Sequence, residues 1–71
     1  MKNSITNQLQ ELGLSNRQIK RFNNICNYRG MSFSRATKVR YCYLNGVAYL
    51  RIEDNILGDL LEIETHHVFA R

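Results

Sequence analysis

Val39-Arg40-Tyr41-Cys42-Tyr43-Leu44-Asn45-Gly46-Val47-Ala48-Tyr49-Leu50-Arg51-Ile52 decides the fold of this 71-residue chain. Two runs rich in β-branched, aromatic and aliphatic residues flank Asn45-Gly46. That pair favours a two-residue type I′ turn because both residues tolerate positive φ. A loop of fixed length fixes the pairing register. It sets Leu44 opposite Val47, Tyr43 opposite Ala48, Cys42 opposite Tyr49, Tyr41 opposite Leu50, Arg40 opposite Arg51 and Val39 opposite Ile52. One face of the hairpin then carries Val39, Tyr41, Tyr43, Ala48, Leu50 and Ile52, the predicted core face. The other carries Lys38, Arg40, Cys42, Tyr49, Arg51 and Glu53. Two arginines directly opposite each other cost stability unless an anion lies near.

Downstream, Glu53-Asp54-Asn55 breaks the second strand. A third strand is predicted at about 60–69. Leu61, Ile63, Thr65, His67 and Phe69 point one way, and Glu62, Glu64 and His66 the other. Antiparallel pairing would bring Glu62 and Glu64 to Arg40 and Arg51. Ile56, Leu57, Leu60 and Leu61 also fit a helix capped by Asp54, but Gly58 would cost that helix about 1 kcal/mol relative to Ala. The strand reading is therefore preferred after Asp59.

Upstream, the period is helical. Ser4 is a good N-cap, and Ile5, Leu9 and Leu12 recur at i, i+4 and i+7 before Gly13, which predicts a helix over 4–12. Ser15 and Gln18 have capping-box spacing. Ile19, Phe22, Ile25 and Cys26 then line one face of a second helix over 15–29 that stops at Gly30. Arg17, Lys20, Arg21, Asn24 and Tyr28 fall on its opposite face. Residues 31–37 read as a loop anchored by Phe33. The expected fold is α+β in one domain, 1–71: a helical hairpin followed by a three-stranded antiparallel meander, with a small winged helix as the alternative.

A chain of this length buries only roughly 60% of the surface its unfolded form exposes, so it holds one small core. With 44% hydrophobic and 23% charged residues and no proline, it is globular rather than disordered or proline-rich. No apolar run approaches a membrane span, and no secretory h-region follows Lys2. Two cysteines are too few for a disulfide scaffold, so the expected setting is the cytoplasm, with reduced thiols; a single bridge between Cys26 and Cys42 is the alternative and would need an oxidising compartment. A core this small predicts a possible homodimer, through an edge strand or an apolar face.

The formal charge of +4 conceals an asymmetry. Residues 1–51 sum to +8 and residues 52–71 to −4. An excess of this kind at one end points to an anionic partner: nucleic acid, with duplex DNA favoured, or an acidic protein surface. On the second helix, Arg suits guanine edges, Asn suits adenine, and Lys suits phosphate. The candidate contact set is therefore Arg17, Lys20, Arg21 and Asn24 in a groove. Arg35, Lys38, Arg40 and Arg51 would hold phosphates, with Tyr49 among the sheet cations as a stacking platform.

The spacing Leu9…Leu12-Gly13-Leu14…Ile19…Phe22 resembles a helix-turn-helix over residues 5–26, and with the hairpin as a wing it resembles a small winged-helix, excisionase-like protein. The resemblance implies that the second helix reads the major groove. The family usually has a small residue where this chain has Leu9. The order of elements also faintly resembles the RelE/ParE type of ribonuclease or gyrase toxin. There, basic sheet residues and a late His, here His66 or His67, would do acid–base work on a phosphate. That fold's first strand has no counterpart in residues 1–14. A third class is protein recognition, by an inhibitor or adaptor from a mobile element such as a phage.

No nucleophile elbow, phosphate loop or carboxylate pair is present, so a non-enzymatic protein without a cofactor is expected. No metal site is expected either. Cys26 and Cys42 are 16 residues apart, and His66 and His67, as neighbours on a strand, would point to opposite faces.

Overall fold

A computed structural model describes residues 4–70; Lys2 and Arg71, both part of the charge count, lie outside them. The elements are α1 (Ile5–Glu11), α2 (Asn16–Tyr28), β1 (Lys38–Leu44), β2 (Val47–Asp54), β3 (Asp59–Glu64) and α3 (Thr65–Phe69). The architecture is α+β, with a helical hairpin preceding a sheet of order β1-β2-β3, both pairs antiparallel.

Both long helices form for the reasons their ends give. The Ser4 hydroxyl accepts from Asn7 N at 3.1 Å. At α2, Ser15 Oγ accepts from Gln18 N, and Gln18 Oε1 accepts from Ser15 N, a complete capping box. Each helix ends in a Schellman motif. Leu14 N donates to Leu9 O and Gly13 N to Gln10 O; Met31 N donates to Cys26 O and Gly30 N to Asn27 O. Gly30 takes φ 88°, the left-handed conformation that the motif needs. The residue after each glycine, Leu14 or Met31, folds back into the core.

The hairpin register is the expected one at every pair from Val39↔Ile52 to Leu44↔Val47. Asn45 at φ 53° and Gly46 at φ 80° make the turn. The helices pack on one face of the sheet: α1 on β1, and α3 on β2 and β3. Ile5, Leu9, Leu14, Ile19, Phe22, Cys26, Met31, Val39, Leu50, Ile52, Ile63 and Val68 form the core between the two layers. Phe33 packs at its edge with its ring centroid 5.9 Å from that of Phe22. Tyr43 departs from the expected core face: at the hairpin tip it lies beyond the helices and is 76% exposed.

The Gln8 amide serves the outer edge of β1. Its Nε2 donates to Thr37 O at 3.3 Å and its Oε1 accepts from Val39 N at 3.0 Å. A helix side chain thus satisfies two backbone groups that the edge would otherwise present to a neighbouring strand.

The third strand ends five residues earlier than the sequence pattern predicts. Residues Thr65–Phe69 form α3. The reason is Val68. As a strand residue it would share the solvent side with Glu62, Glu64 and His66, whereas the helical turn buries it to 1% exposure against the core. Residues 55–58 are a turn rather than a helix. Asp54 Oδ1 accepts from Ile56 N and Leu57 N, and Gly58 N donates to Asp54 O. No helix among the described residues is long and apolar enough to cross a membrane.

Candidate functional site

The fold redistributes the charge that the sequence separates. The β2–β3 hairpin lays the acidic end of the chain against the basic sheet. Arg51 Nε and Nη2 both donate to Glu62 Oε2, at 3.1 and 2.7 Å. That pairing holds the Glu62 carboxyl below the usual carboxylate range and raises the Arg51 guanidinium. Arg40 Nη2 lies 3.9 Å from Glu53. Arg35 reaches Asp54 at 3.2 Å and Asp59 at 3.0 Å. The like-charge cost of Arg40 opposite Arg51 is met by carboxylates from the same sheet. Glu64, expected to share that role, turns instead to His66 and His67.

Antiparallel register arranges the open sheet face in rows: Lys38–Glu53–Leu60, Arg40–Arg51–Glu62 and Cys42–Tyr49–Glu64. Three cations face three carboxylates there, so the face is polarised from β1 to β3 rather than basic. Tyr49 is half-buried between Cys42 and Glu64. The Cys42 thiol is raised by desolvation and by its contact with Glu62, 3.5 Å away. Of the sheet-side candidates, Lys38 keeps its ammonium exposed and Arg40 has only the long contact to Glu53.

The α2 candidates stand differently. Arg17, Lys20 and Asn24 are exposed on its outer face, with Tyr28 92% exposed at the far end of the same row. The helix contains no Asp or Glu. Among the described residues, no carboxylate lies within ion-pair distance of Arg17, Lys20, Arg21 or Arg29. Arg21 is more confined, donating from Nη1 to Ala70 O, which fixes the end of α3 beside the first turns of α2. A polar groove of about 530 Å³ runs between them, lined by Ser15, Arg17, Gln18, Arg21, Phe69 and Ala70. A second groove, about 570 Å³, separates the far half of α2 from β3 and α3; Asn24, Tyr28, Arg29, Glu62, Glu64 and His67 line it.

The structure therefore brings Arg17, Lys20, Arg21 and Asn24 together and separates them from Arg35, Lys38, Arg40, Tyr49 and Arg51. Arg29, which caps α2, belongs with the first group. Its position directly before the stop glycine is the signal that would have placed it there. The pairing of His66 and His67 was also hidden, because it depends on α3. Their ring centroids lie 4.0 Å apart, on a helix rather than on opposite faces of a strand.

Comparison with family models, curated proteins and solved structures finds no match to this chain.

Proposed function

We propose that this chain is a small, non-enzymatic nucleic-acid-binding protein, duplex DNA being the favoured partner, and that α2 is the element that binds. The observation that carries the reading is the distribution of charge after folding. Arg35, Arg40 and Arg51 lie within ion-pair distance of carboxylates, whereas Arg17, Lys20, Arg21 and Arg29 have none among the described residues. A helix with that much uncompensated charge and a row of exposed polar side chains suits a phosphate-lined groove. Arg17, Arg21 and Asn24 would meet base edges, while Lys20 and Arg29 would hold phosphates. Lys38 and Arg40 would serve as flanking contacts. Arg35 and Arg51 act within the fold.

The test is a titration of labelled duplex DNA, single-stranded DNA and RNA at several salt concentrations. Four phosphate contacts on duplex give a log–log salt slope of about −3 to −4. Arg17→Ala should weaken binding by about 1–3 kcal/mol per lost base contact and relax sequence preference. Absence of binding to all three at low salt would overturn the reading.

One observation favours protein recognition as the second reading. Ile56, Leu57 and Leu60 are 79%, 64% and 53% exposed around the β2–β3 turn, an apolar ridge outside the row of Arg17, Lys20 and Asn24. If the chain acts as an inhibitor or adaptor, Leu57→Asp would abolish partner capture while Arg17→Ala would not.

A further inference from the structure

We propose that Glu64, His66 and His67 form a binding site for a divalent transition-metal ion of the zinc class. The proposal is independent of nucleic-acid binding and rests on the turn from β3 into α3. Glu64 is the last residue of β3, and its carboxylate makes no cap to the α3 backbone. It turns instead to the two imidazoles. Its Oε2 lies 2.7 Å from His66 Nε2 and 3.5 Å from His67 Nε2. The three donor groups lie within 4.8 Å of one another, and the ring centroids of the two histidines are 4.0 Å apart.

That spacing matches a coordination shell. With bonds of about 2.0–2.1 Å to nitrogen and oxygen, the ligand atoms of a tetrahedral zinc ion sit about 3.3 Å apart. The contacts of 2.7 and 3.5 Å bracket that edge, and the third edge, between the two imidazoles, is within 4.8 Å. Neighbouring residues on a helix diverge by about 100°, which normally keeps their side chains apart. Here the carboxylate that precedes them draws both imidazoles together. Two imidazoles and one carboxylate suit zinc, with copper and nickel as competitors, and exclude the all-oxygen preference of magnesium or calcium. Three protein ligands leave a fourth position open. Glu64 and His67 also line the groove beside Tyr28 and Asn24, so that position adjoins a space large enough for water or a small anion. The ion would also pin the end of β3 to α3, the helix that contributes Val68 to the core.

The test uses the full chain, freed of metal by chelator and titrated with zinc chloride alone. Calorimetry should give one ion per chain. Long-range imidazole nitrogen spectra should show both His66 and His67 shifting with saturation. The melting temperature should rise with zinc concentration, as it does for any ligand that binds only the native state. Disrupting partners outside the ligand shell typically costs 10–100-fold in affinity, so His66→Gln, His67→Gln or Glu64→Gln should each weaken binding by at least about tenfold. Both imidazoles are exposed, and circular dichroism of the histidine variants should be unchanged. Cys42→Ser should bind as the unmodified chain does. No heat and no imidazole shift with zinc would overturn the proposal. So would binding that survives the histidine substitutions or disappears with Cys42→Ser.

Discussion

Arg35 Nε lies 3.2 Å from Oδ2 of Asp54, a carboxylate with no exposed side-chain surface. The geometry of that contact falls short of a hydrogen bond, so the attraction there is one of charge. The guanidinium also donates to Gly30 O and to Asp59, which ties the stop of α2 to the β2–β3 turn. A residue chosen from sequence as a phosphate contact thus braces the fold. Removing one partner strands the other. Arg35→Ala leaves a buried carboxylate unpaired and should cost about 2–4 kcal/mol, allowing for the partial exposure of Arg35. Asp54→Asn, which can still accept from Ile56 N and Leu57 N, should cost less than Asp54→Ala. Chemical denaturation of the three variants checks the order.

The charge distribution predicts a clean separation of phenotypes. Lys20→Ala should reduce the salt slope of duplex binding by about 1 with little change in melting temperature. Arg51→Ala should do the reverse, lowering stability while leaving the slope unchanged, because its guanidinium is held by Glu62. Loss of binding in Arg51→Ala with none in Lys20→Ala would mean that the sheet, not α2, meets the nucleic acid.

The hairpin was legible because its determinants are local. Asn45 and Gly46 fix the turn, the turn fixes the register, and the two capped helices follow the same logic. Two things were not legible. Asp54 reads as a strand-breaking acid, yet it continues the core face after Leu50 and Ile52, and its burial is met by Ile56 N and Leu57 N together with the charge of Arg35, nineteen positions earlier. The alternation from Leu61 to Phe69 imitates a strand, and the one residue out of phase is Val68. Misreading that segment concealed the Glu64, His66 and His67 trio. The basic helix face was legible as a pattern, and so was the pairing of Arg51 with Glu62 across β2 and β3, whereas Arg40 meets Glu53 of β2 rather than a β3 carboxylate.

Burial pushes the Cys26 thiol up to about 12. The sign follows from where the proton is held. Below the unfolded value of 9.0 the thiol is neutral in both states and has no effect on the equilibrium. Above it the unfolded chain loses the proton while the folded chain keeps it. Stability therefore falls as pH rises between those two values, by up to about 1.4 kcal/mol per pH unit. Cys26→Ala should be less stable at neutral pH, through the small cavity it leaves, but its stability should decline less steeply above pH 9.0. In native buffer, alkylation should modify Cys42 before Cys26.

Val68 tests the role of α3. It is 1% exposed in a five-residue helix whose other residues are exposed or half-buried. So short a helix has no stability of its own and forms only because Val68 is buried. Val68→Ala should cost about 1–3 kcal/mol through lost apolar contact and the cavity left behind. For a domain of this size each kcal/mol lowers the melting temperature by roughly 4–8 °C. Val68→Asp would place an unpaired charge in the core and should detach the segment altogether. The Arg21 contact to Ala70 would be lost with it, and the first turns of α2 would be uncovered. If α3 only supports the core, duplex affinity should fall in step with stability across the two variants. If the end of α3 instead restrains Arg21 from reaching nucleic acid, Val68→Ala, measured well below its melting temperature, should bind duplex more tightly than the unmodified chain.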